Sequence, residues 1–458
     1  MMPPHIGKTG GESSVRQSND GMLGAMPVPR LVVTMSLPIM LSMLISAVYN
    51  LVDSVYVAQY SDEAFLALSY AYPIQMLLVA FCSGIGVGFS AIFSRRLGEG
   101  DQEQAASAVC HGFFLYGLCW LLFLFFALTG AAPFLRLSTE DPSVARQGAQ
   151  YLLICCGLSI GTCMQFLTER ILQAMGRPAG FMIVQGSGAI LNLILDPIFI
   201  FVLDLGVAGA AAATVIGQIS GALIGFWLVY RLRRQLPIRL RGFRPRGEML
   251  AEMGRVAAPA VVMQSLSSFM SLGLNQLLTR WSQSAVFVLG AYFKLQTFIF
   301  MPIFGISSGL IPILSYNYGS GALRRVSASV RFGQQFTAVL SLSGALLLSL
   351  LASPLLRSAF RASPEALAMG APALRIIALS FFFAGTSIIF CSAFQSLGRS
   401  RWSLLVALLR QILLLLPAAA LLLALKPALV WAAFPLSELI SCFAAALLYR
   451  RTIQKQLL

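Results

Sequence analysis

The sequence predicts an all-α membrane protein whose twelve transmembrane helices form two six-helix bundles. Of its 458 residues, 58% are hydrophobic and 11% are charged, which leaves too few polar side chains to cover a soluble globule. The mean hydropathy is +0.81. A hydrocarbon core of ~30 Å needs about 20 apolar residues per helix, whereas a barrel would show short alternating segments. The apolar stretches here are of helical length, and an internal repeat divides them into two sets.

The repeat covers nearly the whole chain. At an offset of 221 positions, the coincident residues are Pro38 with Pro259, Gln75 with Gln296, Gly84 with Gly305, Gly88 with Gly309, Ser94 with Ser315, and Gly98 with Gly319. At an offset of 222, the run Gln173 to Arg177 resembles the run Gln395 to Arg399. Such a period is far too long for a solenoid unit, whereas duplicated halves are typical of secondary transporters. The repeat therefore indicates transport.

Each half contains six apolar stretches. Those of the first half lie near residues 31–57, 65–93, 107–130, 147–168, 179–203 and 207–230. Those of the second lie near residues 255–279, 285–314, 332–352, 369–393, 402–425 and 428–449. Because six crossings return the chain to its starting side, the halves are predicted to be parallel repeats related by a pseudo-twofold axis along the membrane normal.

The predicted domains follow from these spans. The N-terminal segment is polar and rich in Gly and Ser, without the apolar core of a cleavable signal, so we expect it to be disordered. The expected order is a disordered cytoplasmic tail (1–30), an N-terminal lobe (31–230), a basic cytoplasmic linker (231–254), a C-terminal lobe (255–450) and a cytoplasmic tail (451–458).

Arginines at alternate connections predict the orientation, because basic residues near helix ends stay in the cytoplasm. They are Arg95, Arg96, Arg170, Arg177, the eight arginines from Arg231 to Arg255, Arg324, Arg325, Arg331, Arg399, Arg401, Arg450 and Arg451. We therefore expect a multi-pass protein of the plasma (inner) membrane with both termini in the cytoplasm. The protein is expected to be a monomer surrounded by membrane lipids. This asymmetry explains the net charge of +15, so no nucleic-acid partner is expected.

The sequence offers no recognisable enzyme site. Its eight cysteines lack metal-ligand spacing and are interpreted as packing residues. The two histidines, His5 and His111, build neither a metal centre nor a Ser-His-Asp site. No phosphate loop ends in Gly-Lys-Ser/Thr. We therefore expect that the protein is not an enzyme and binds no cofactor. Its energy source is expected to be an ion gradient.

Two carboxylates inside predicted spans lead the candidates for a functional site, because a charge at membrane depth is costly. Asp53 lies on the first span, one turn after Tyr49. Asp196 lies on the fifth span, one turn after Asn192. At ~1.5 Å per residue, these groups and Thr214 of the sixth span fall in the outer half of the first lobe.

Two prolines lie on the helices that carry these carboxylates. Pro197 follows Asp196 and frees the carbonyl of Leu193, while Pro38 frees that of Thr34 and allows the first helix to bend. Carboxylates, an amide, a hydroxyl and a free carbonyl suit sodium at Asp53 and Asp196, or a proton that the carboxylates share. The alternative is that the two acids only join helices through hydrogen bonds.

The repeat provides an internal control for this site. The positions equivalent to Asp53 and Asp196 in the second half are Leu274 and Leu416. An acid pair in one half alone favours a specialised coupling site over a requirement of the fold. Lys294 in the eighth span has two interpretations. Either it lines the cavity, where it binds an anionic group or repels cations, or it extends its amine to the membrane surface or pairs within the second bundle.

These residues resemble the multidrug and toxic compound extrusion (MATE) transporters over nearly the whole chain. The resemblance rests on Tyr49 to Asp53, the segment Gly84 to Gly100, the run Asn192 to Pro197, and Thr214. It implies two six-helix lobes around a central cavity, and export of cationic amphiphiles in exchange for sodium ions or protons by alternating access.

The resemblance also implies roles for individual residues. In the branch that this chain is most similar to, the positions of Asp53, Asn192, Asp196 and Thr214 form the cation site of the first lobe, with Tyr49 nearby and Pro38 at a bend. Another branch carries acids in the seventh and tenth spans, where this chain has Gln264, Ser271 and Arg375. The alternative function is a flippase for a lipid-linked saccharide, in which Lys294 would meet a diphosphate.

Overall fold

The computed structural model describes residues 22–232, 243–360 and 362–454, and within these ranges it is helical, without strands. The six crossing elements of the first half are α1 Val28–Tyr60, α2 Asp62–Gly98, α3 Gln102–Thr129, α4a Pro142–Gly157 with α4b Ile160–Ala174, α5 Pro178–Pro197, and α6 Gly206–Arg231. Those of the second half are α7 Gly247–Thr279, α8 Gln283–Gly319, α9 Leu323–Pro354, α10a Pro364–Ala378 with α10b Phe381–Ser396, α11 Ser400–Leu425, and α12 Ala433–Tyr449.

The fold class predicted from the sequence is confirmed. Ten of these elements are single helices long and apolar enough to cross a membrane. The other two, α4 and α10, are pairs bent by 43° and 42°. The two bends occupy equivalent places in the halves, so the repeat extends to the shape of individual spans. A short helix, Ala131–Ser138, connects α3 to α4a.

The two lobes meet along a seam formed by α1 with α8 and by α2 with α7. A Cβ placed on Gly84 of α2 would lie 2.7 Å from the backbone nitrogen of Val261 in α7. A Cβ on Gly305 of α8 would lie 2.7 Å from the Cα atom of Met40 in α1. Both glycines and both partners are 221 positions apart, so the seam is built from reciprocal contacts about the predicted pseudo-twofold axis. Only glycine permits this approach of the helices.

The seam closes the protein at one end only. Arg95 and Arg96, near the end of α2, reach Glu252 of α7 at 3.5 and 2.9 Å. We call this end, where both described termini also lie, the basic face. Lys294 is 11 residues, or about three turns, from Gly305 on the same side of α8, yet it is exposed. From this exposure we infer that the lobes separate towards the opposite end and leave a cleft between them.

Helix α1 belongs to both lobes. Near the basic face, Leu31, Val32 and Met35 are buried in a core made mainly of second-lobe residues. At the other end of the helix, Val57 is buried in the core of the first lobe. Pro38 lies between these two parts. A single helix thus joins the seam to the interior of the first lobe.

The predicted disordered tail is too long. Residues Met22–Ala25 form a helical turn, and α1 begins at Val28 rather than at residue 31. The turn is held because Leu23 is buried and its carbonyl oxygen accepts a hydrogen bond from Arg325 of α9 at 3.2 Å. The same guanidinium nitrogen binds the carbonyl of Met26 at 2.8 Å. Residues 1–21 lie outside the described part of the chain.

The predicted linker is also too long, because α7 begins at Gly247 instead of residue 255. The start of α7 is fixed by His111 of α3, whose Nε2 atom accepts a hydrogen bond from the Arg246 backbone at 2.9 Å. Residues 233–242 of the linker lie outside the described residues.

Two smaller corrections concern helix ends. A helical turn, Arg450–Gln454, continues α12 beyond the predicted end of the C-terminal lobe, and residues 455–458 lie outside the described part. Arg170, expected in a connection, is buried inside α4b, because that helix runs on to Ala174.

Candidate functional site

The predicted carboxylates come together inside the first lobe. Asp53 of α1 is 9% exposed, Asp196 of α5 is fully buried, and their side chains lie within hydrogen-bonding reach of each other. Two ionised carboxylates at this distance repel strongly in a medium of low dielectric constant. The pair is therefore stable when a proton or another cation lies between its oxygens.

Asn192 connects this pair to α6. Its amide nitrogen donates to Asp196 Oδ1 at 3.1 Å and contacts Thr214 Oγ1 at 3.4 Å. Asp53 Oδ1, Asp196 Oδ2 and Asn192 Oδ1 are buried and accept no hydrogen bond from the described residues. Three buried oxygens without donors suit a hard cation, or a proton for either carboxylate. The residues present thus fit the coupling ion predicted from the sequence.

Close helix packing places these groups. A Cβ on Gly217 of α6 would lie 2.7 Å from the carbonyl oxygen of Gly188 in α5 and 3.2 Å from Asn192 Cβ. Without side chains at the crossing, α5 and α6 approach closely enough for Asn192 to reach Thr214. The α-helical part of α5 ends at Pro197, and a wider π-helical turn follows over Ile198–Val202. The missing donor of the proline accounts for this change beside Asp196.

Tyr49 lies one turn before Asp53 on α1. It is within electrostatic range of Asp53, Asp196 and a third buried carboxylate, Glu169. Pro38 lies further along the same helix, where its carbonyl oxygen accepts a hydrogen bond from Ser42 at 2.9 Å. Helix α1 continues through Pro38 without a break, and the bend predicted there remains a prediction.

Lys294 lies on the same side of α8 as Gly305, which contacts α1 at the seam. Phe298, one turn closer to the seam, is 46% exposed, so this side of the helix stays uncovered above Gly305. Within the described ranges, Lys294 has no carboxylate within 4.0 Å. Its exposed amine is therefore not neutralised by an ion pair in the described structure.

The second lobe has no equivalent acid pair. Leu274 is buried in its core, and Leu416 packs against that core. Glu438 of α12 is bound by Arg410 of α11 at 2.8 Å. Gln264, where another branch of the family has an acid, donates to Ser83 across the seam at 3.1 Å.

Sequence reasoning missed two groups of residues. Glu169 and Arg170 are both buried in α4b, but the predicted fourth span ended at residue 168. The Sγ atoms of Cys82, Cys119 and Cys163 lie within 4.8 Å of one another. These cysteines come from three different helices, so no spacing along the chain could reveal the cluster. For Glu169, a signal existed: Gln165 and Glu169 are one turn apart in an apolar segment.

Comparison with known proteins points to one family. The sequence model of the MatE family matches residues 38–198 and 259–421, one match in each half. The multidrug export protein MepA of Staphylococcus aureus (strain MRSA252) is 26% identical over 402 residues, 85% of this chain and 86% of that protein. The FAD transporter of Shewanella oneidensis is 26% identical over 417 residues, 88% of this chain and 89% of that protein.

Solved structures share the fold. The outward-facing conformation of a multidrug resistance MATE family transporter superposes with a TM-score of 0.89 at 23% identity, over 95% of this chain and 97% of that one. A transporter from Pyrococcus furiosus, described as having a binding pocket of reverse polarity, gives a TM-score of 0.87 at 23% identity, over 94% and 97%. At these identities the likeness shows the fold alone.

Proposed function

Since the chain belongs to the MatE family of membrane transporters, we propose that it is a cation-coupled efflux antiporter. In this proposal a proton or sodium ion binds at Asp53, Asn192, Asp196 and Thr214, and its inward movement drives export of an amphiphilic small molecule. The basic face is cytoplasmic, as positive charge at helix ends predicts. The cleft then opens to the outside, the state named for one structural relative. The membrane is the plasma (inner) membrane.

The observation that supports coupling most directly is the course of α1. Its first part is buried with second-lobe residues at the seam, and its second part carries Asp53 into the first lobe beside Asp196. A change of charge at the pair therefore acts on the helix that also holds the lobes together. Cation binding removes the repulsion between the carboxylates and allows α5 and α1 to pack closely. Loss of the cation restores the repulsion between the carboxylates and so favours a conformation in which α1 packs differently against α5.

Antiport follows if the cation and the substrate prefer different arrangements of the lobes. A ligand shifts a conformational equilibrium only by its difference in affinity for the two states, and the coupling free energy is reciprocal. The cation stabilises the outward-open arrangement and lowers the affinity for substrate there. Return to the arrangement open to the cytoplasm requires the seam between α2 and α7 to part, including the ion pairs of Glu252 with Arg95 and Arg96.

The substrate class has two candidates. Export of cationic amphiphiles follows from the resemblance to multidrug exporters. A substrate with an anionic group is favoured by Lys294, because α8 contains no carboxylate and the acids of α7, Glu248 and Glu252, lie at its basic end. The FAD transporter among the relatives is named for such a molecule. A flippase for a lipid-linked saccharide belongs to this second candidate, since its diphosphate would contact the amine of Lys294.

Transport assays on the purified protein in proteoliposomes test both the proposed ion coupling and the proposed substrate class. Sodium and proton gradients are imposed separately, and export of a fluorescent cationic dye is compared with export of FAD. We expect one gradient to drive uphill export and the other to have no effect. Export that persists without either gradient would contradict antiport. Lys294→Met should reduce export of FAD and leave the cationic dye unaffected or improved if the substrate is anionic, and Lys294→Arg should retain FAD export.

A further inference from the structure

Glu169 is a buried carboxylate that the proposed coupling site does not use. It is 3% exposed and lies on α4b, five residues from the end of that helix at the basic face. Its Oε1 atom accepts a hydrogen bond from Gln165 at 2.9 Å. Since ~1.5 Å separates successive residues of a helix, Glu169 lies roughly 7 Å from the helix end.

No positively charged side chain forms an ion pair with Glu169 within the part of the chain that the structure describes. Arg170 follows it in sequence but points to another side of α4b, where it donates to Gln173 at 2.9 Å and lies over the Phe181 ring at 5.9 Å. Arg170 still lies within electrostatic range of Glu169, and so does Tyr49 of α1. Within the described ranges no Lys, Arg or His nitrogen lies within 4.0 Å of its carboxylate.

The second lobe provides a comparison, because it contains a part-buried carboxylate that a guanidinium neutralises. Glu438 receives two hydrogen bonds from the Arg410 guanidinium, at 2.8 and 3.1 Å. Burial of a carboxylate without such a partner costs several kcal/mol or more, and the group normally takes up a proton instead. Glu169 has one amide donor, a distant phenol and the nearby charge of Arg170, whose guanidinium donates to Gln173 instead. Without a direct ion pair, these groups stabilise the ionised carboxylate less than Arg410 stabilises Glu438.

Polar side chains connect Glu169 to the predicted coupling site through the interior of the first lobe. From Asp196, hydrogen bonds lead to Asn192 and on to Thr214. Gln218 is one turn further along α6, and its Oε1 atom accepts a hydrogen bond from Thr162 of α4b. Gln165 is one turn beyond Thr162 and binds Glu169. The steps alternate between hydrogen bonds and single helical turns, so a polar column of successive side chains extends from the carboxylate pair towards the basic face.

The same helix contacts the seam. Gln173, held by Arg170, donates to the carbonyl oxygen of Ser308 in α8 at 2.6 Å. The end of α4b is thus tied to the second lobe one turn beyond Glu169. A change in the charge of Glu169 occurs next to a contact that must change when the lobes rearrange.

We propose that Glu169 is a second protonation site, at the inner end of this polar column, which exchanges its proton with the Asp53–Asp196 pair during the transport cycle. The inference rests on the proposed antiport function and assigns the inner part of the proton path. A proton is the ligand rather than sodium because Glu169 lacks the set of donor-free oxygens that surrounds the pair. Protonated Glu169 donates to a neighbouring oxygen of the column, and ionised Glu169 accepts from Gln165.

Infrared spectroscopy of the full-length protein in lipid vesicles, recorded over a pH titration, tests the site directly because protonated carboxyl groups give a separate band. We expect Glu169→Gln to remove one component of this band, and Asp53→Asn with Asp196→Asn to remove another. Glu103→Gln, the same change at an exposed position of α3, should remove none from that band. An identical carboxyl band in wild type and Glu169→Gln would overturn the proposal.

Transport measurements distinguish a failure of the Glu169 proposal from a failure of the antiport proposal. Under a proton gradient, Glu169→Gln should lower the initial rate of uphill export at least tenfold while substrate binding persists, and Glu169→Asp should restore part of the rate. Export at the wild-type rate in a folded Glu169→Gln protein would overturn the second site but leave antiport intact, provided that Asp196→Asn abolishes uphill export. Proton-driven export retained in both variants would reject the coupling site as well.

Discussion

The Arg410 guanidinium donates two hydrogen bonds to a single oxygen of Glu438, so the second lobe neutralises its buried carboxylate internally. The first lobe does the opposite, because it holds Asp53 and Asp196 together without an arginine or lysine within 4.0 Å in the described structure. The same repeat therefore carries a closed ion pair in one half and, in the other, a carboxylate pair without an ion-pair partner, which is the proposed cation site.

Removal of one member of the ion pair should destabilise the second lobe. Glu438→Gln leaves a buried guanidinium without a counter-charge, which costs about 3–5 kcal/mol. The double variant Arg410→Met with Glu438→Leu should recover most of that stability, since well-packed apolar replacements of buried pairs are often neutral. Thermal unfolding measures both effects. If the double variant folds but loses its dependence on the ion gradient, Arg410 and Glu438 belong to the coupling mechanism.

Gly84 and Gly305 should control how tightly the lobes close. Gly84→Ala places a methyl group within 2.7 Å of the Val261 backbone, so α2 and α7 must move apart. We expect the population to shift towards the arrangement in which the basic face is open, with a several-fold loss of export. Distances between spin labels on the two lobes measure the shift.

Gly117→Ala is the matched control for this experiment. A Cβ at Gly117 of α3 meets no atom within 4 Å, and replacement of glycine in a helix interior stabilises it by roughly 0.5–1 kcal/mol. The control should therefore leave lobe distances and export unchanged. Equal label distances in wild type and Gly84→Ala would show that the seam tolerates the methyl group and does not limit the cycle.

Some features of this molecule can be predicted from the sequence because each depends on a pattern visible along the chain. A charge within an apolar run is visible without a structure, and this revealed Asp53 and Asp196. Asn192 follows from one helical turn, and the lobes follow from the repeat. Glu169 was missed because helix ends are placed poorly by hydropathy: basic and acidic residues near position 170 resemble a connection. The cysteine cluster and the contact of Arg325 with the turn at Leu23 depend on which helices are neighbours, and no local pattern contains that information.

Pro38→Ala should slow export without removing cation binding. The substitution restores a backbone donor within α1 and stiffens the helix between its seam-bound part and Asp53. We expect the rate of export to fall several-fold while the affinity for the coupling ion stays measurable. Pro259→Ala changes the repeat-related position in α7 and should have a smaller effect, because the second lobe carries no acid pair. Parallel loss of ion binding and export in Pro38→Ala would assign the proline to folding.

Asp196→Asn tests the coupling site itself. Asparagine keeps the volume and lets Asn192 still donate to a side-chain oxygen, but the position can no longer gain or lose a proton and holds sodium weakly. We therefore expect a folded protein that binds substrate and cannot export it against a gradient. Asp53→Asn should behave nearly the same, and the double variant should be little worse than either single variant, since the two carboxylates act as one unit. Substrate binding and gradient-driven export, measured on the same proteoliposomes, distinguish lost coupling from misfolding. Uphill export by Asp196→Asn with an unchanged dependence on the ion gradient would make Asp196 a structural residue and place the coupling ion elsewhere in the protein.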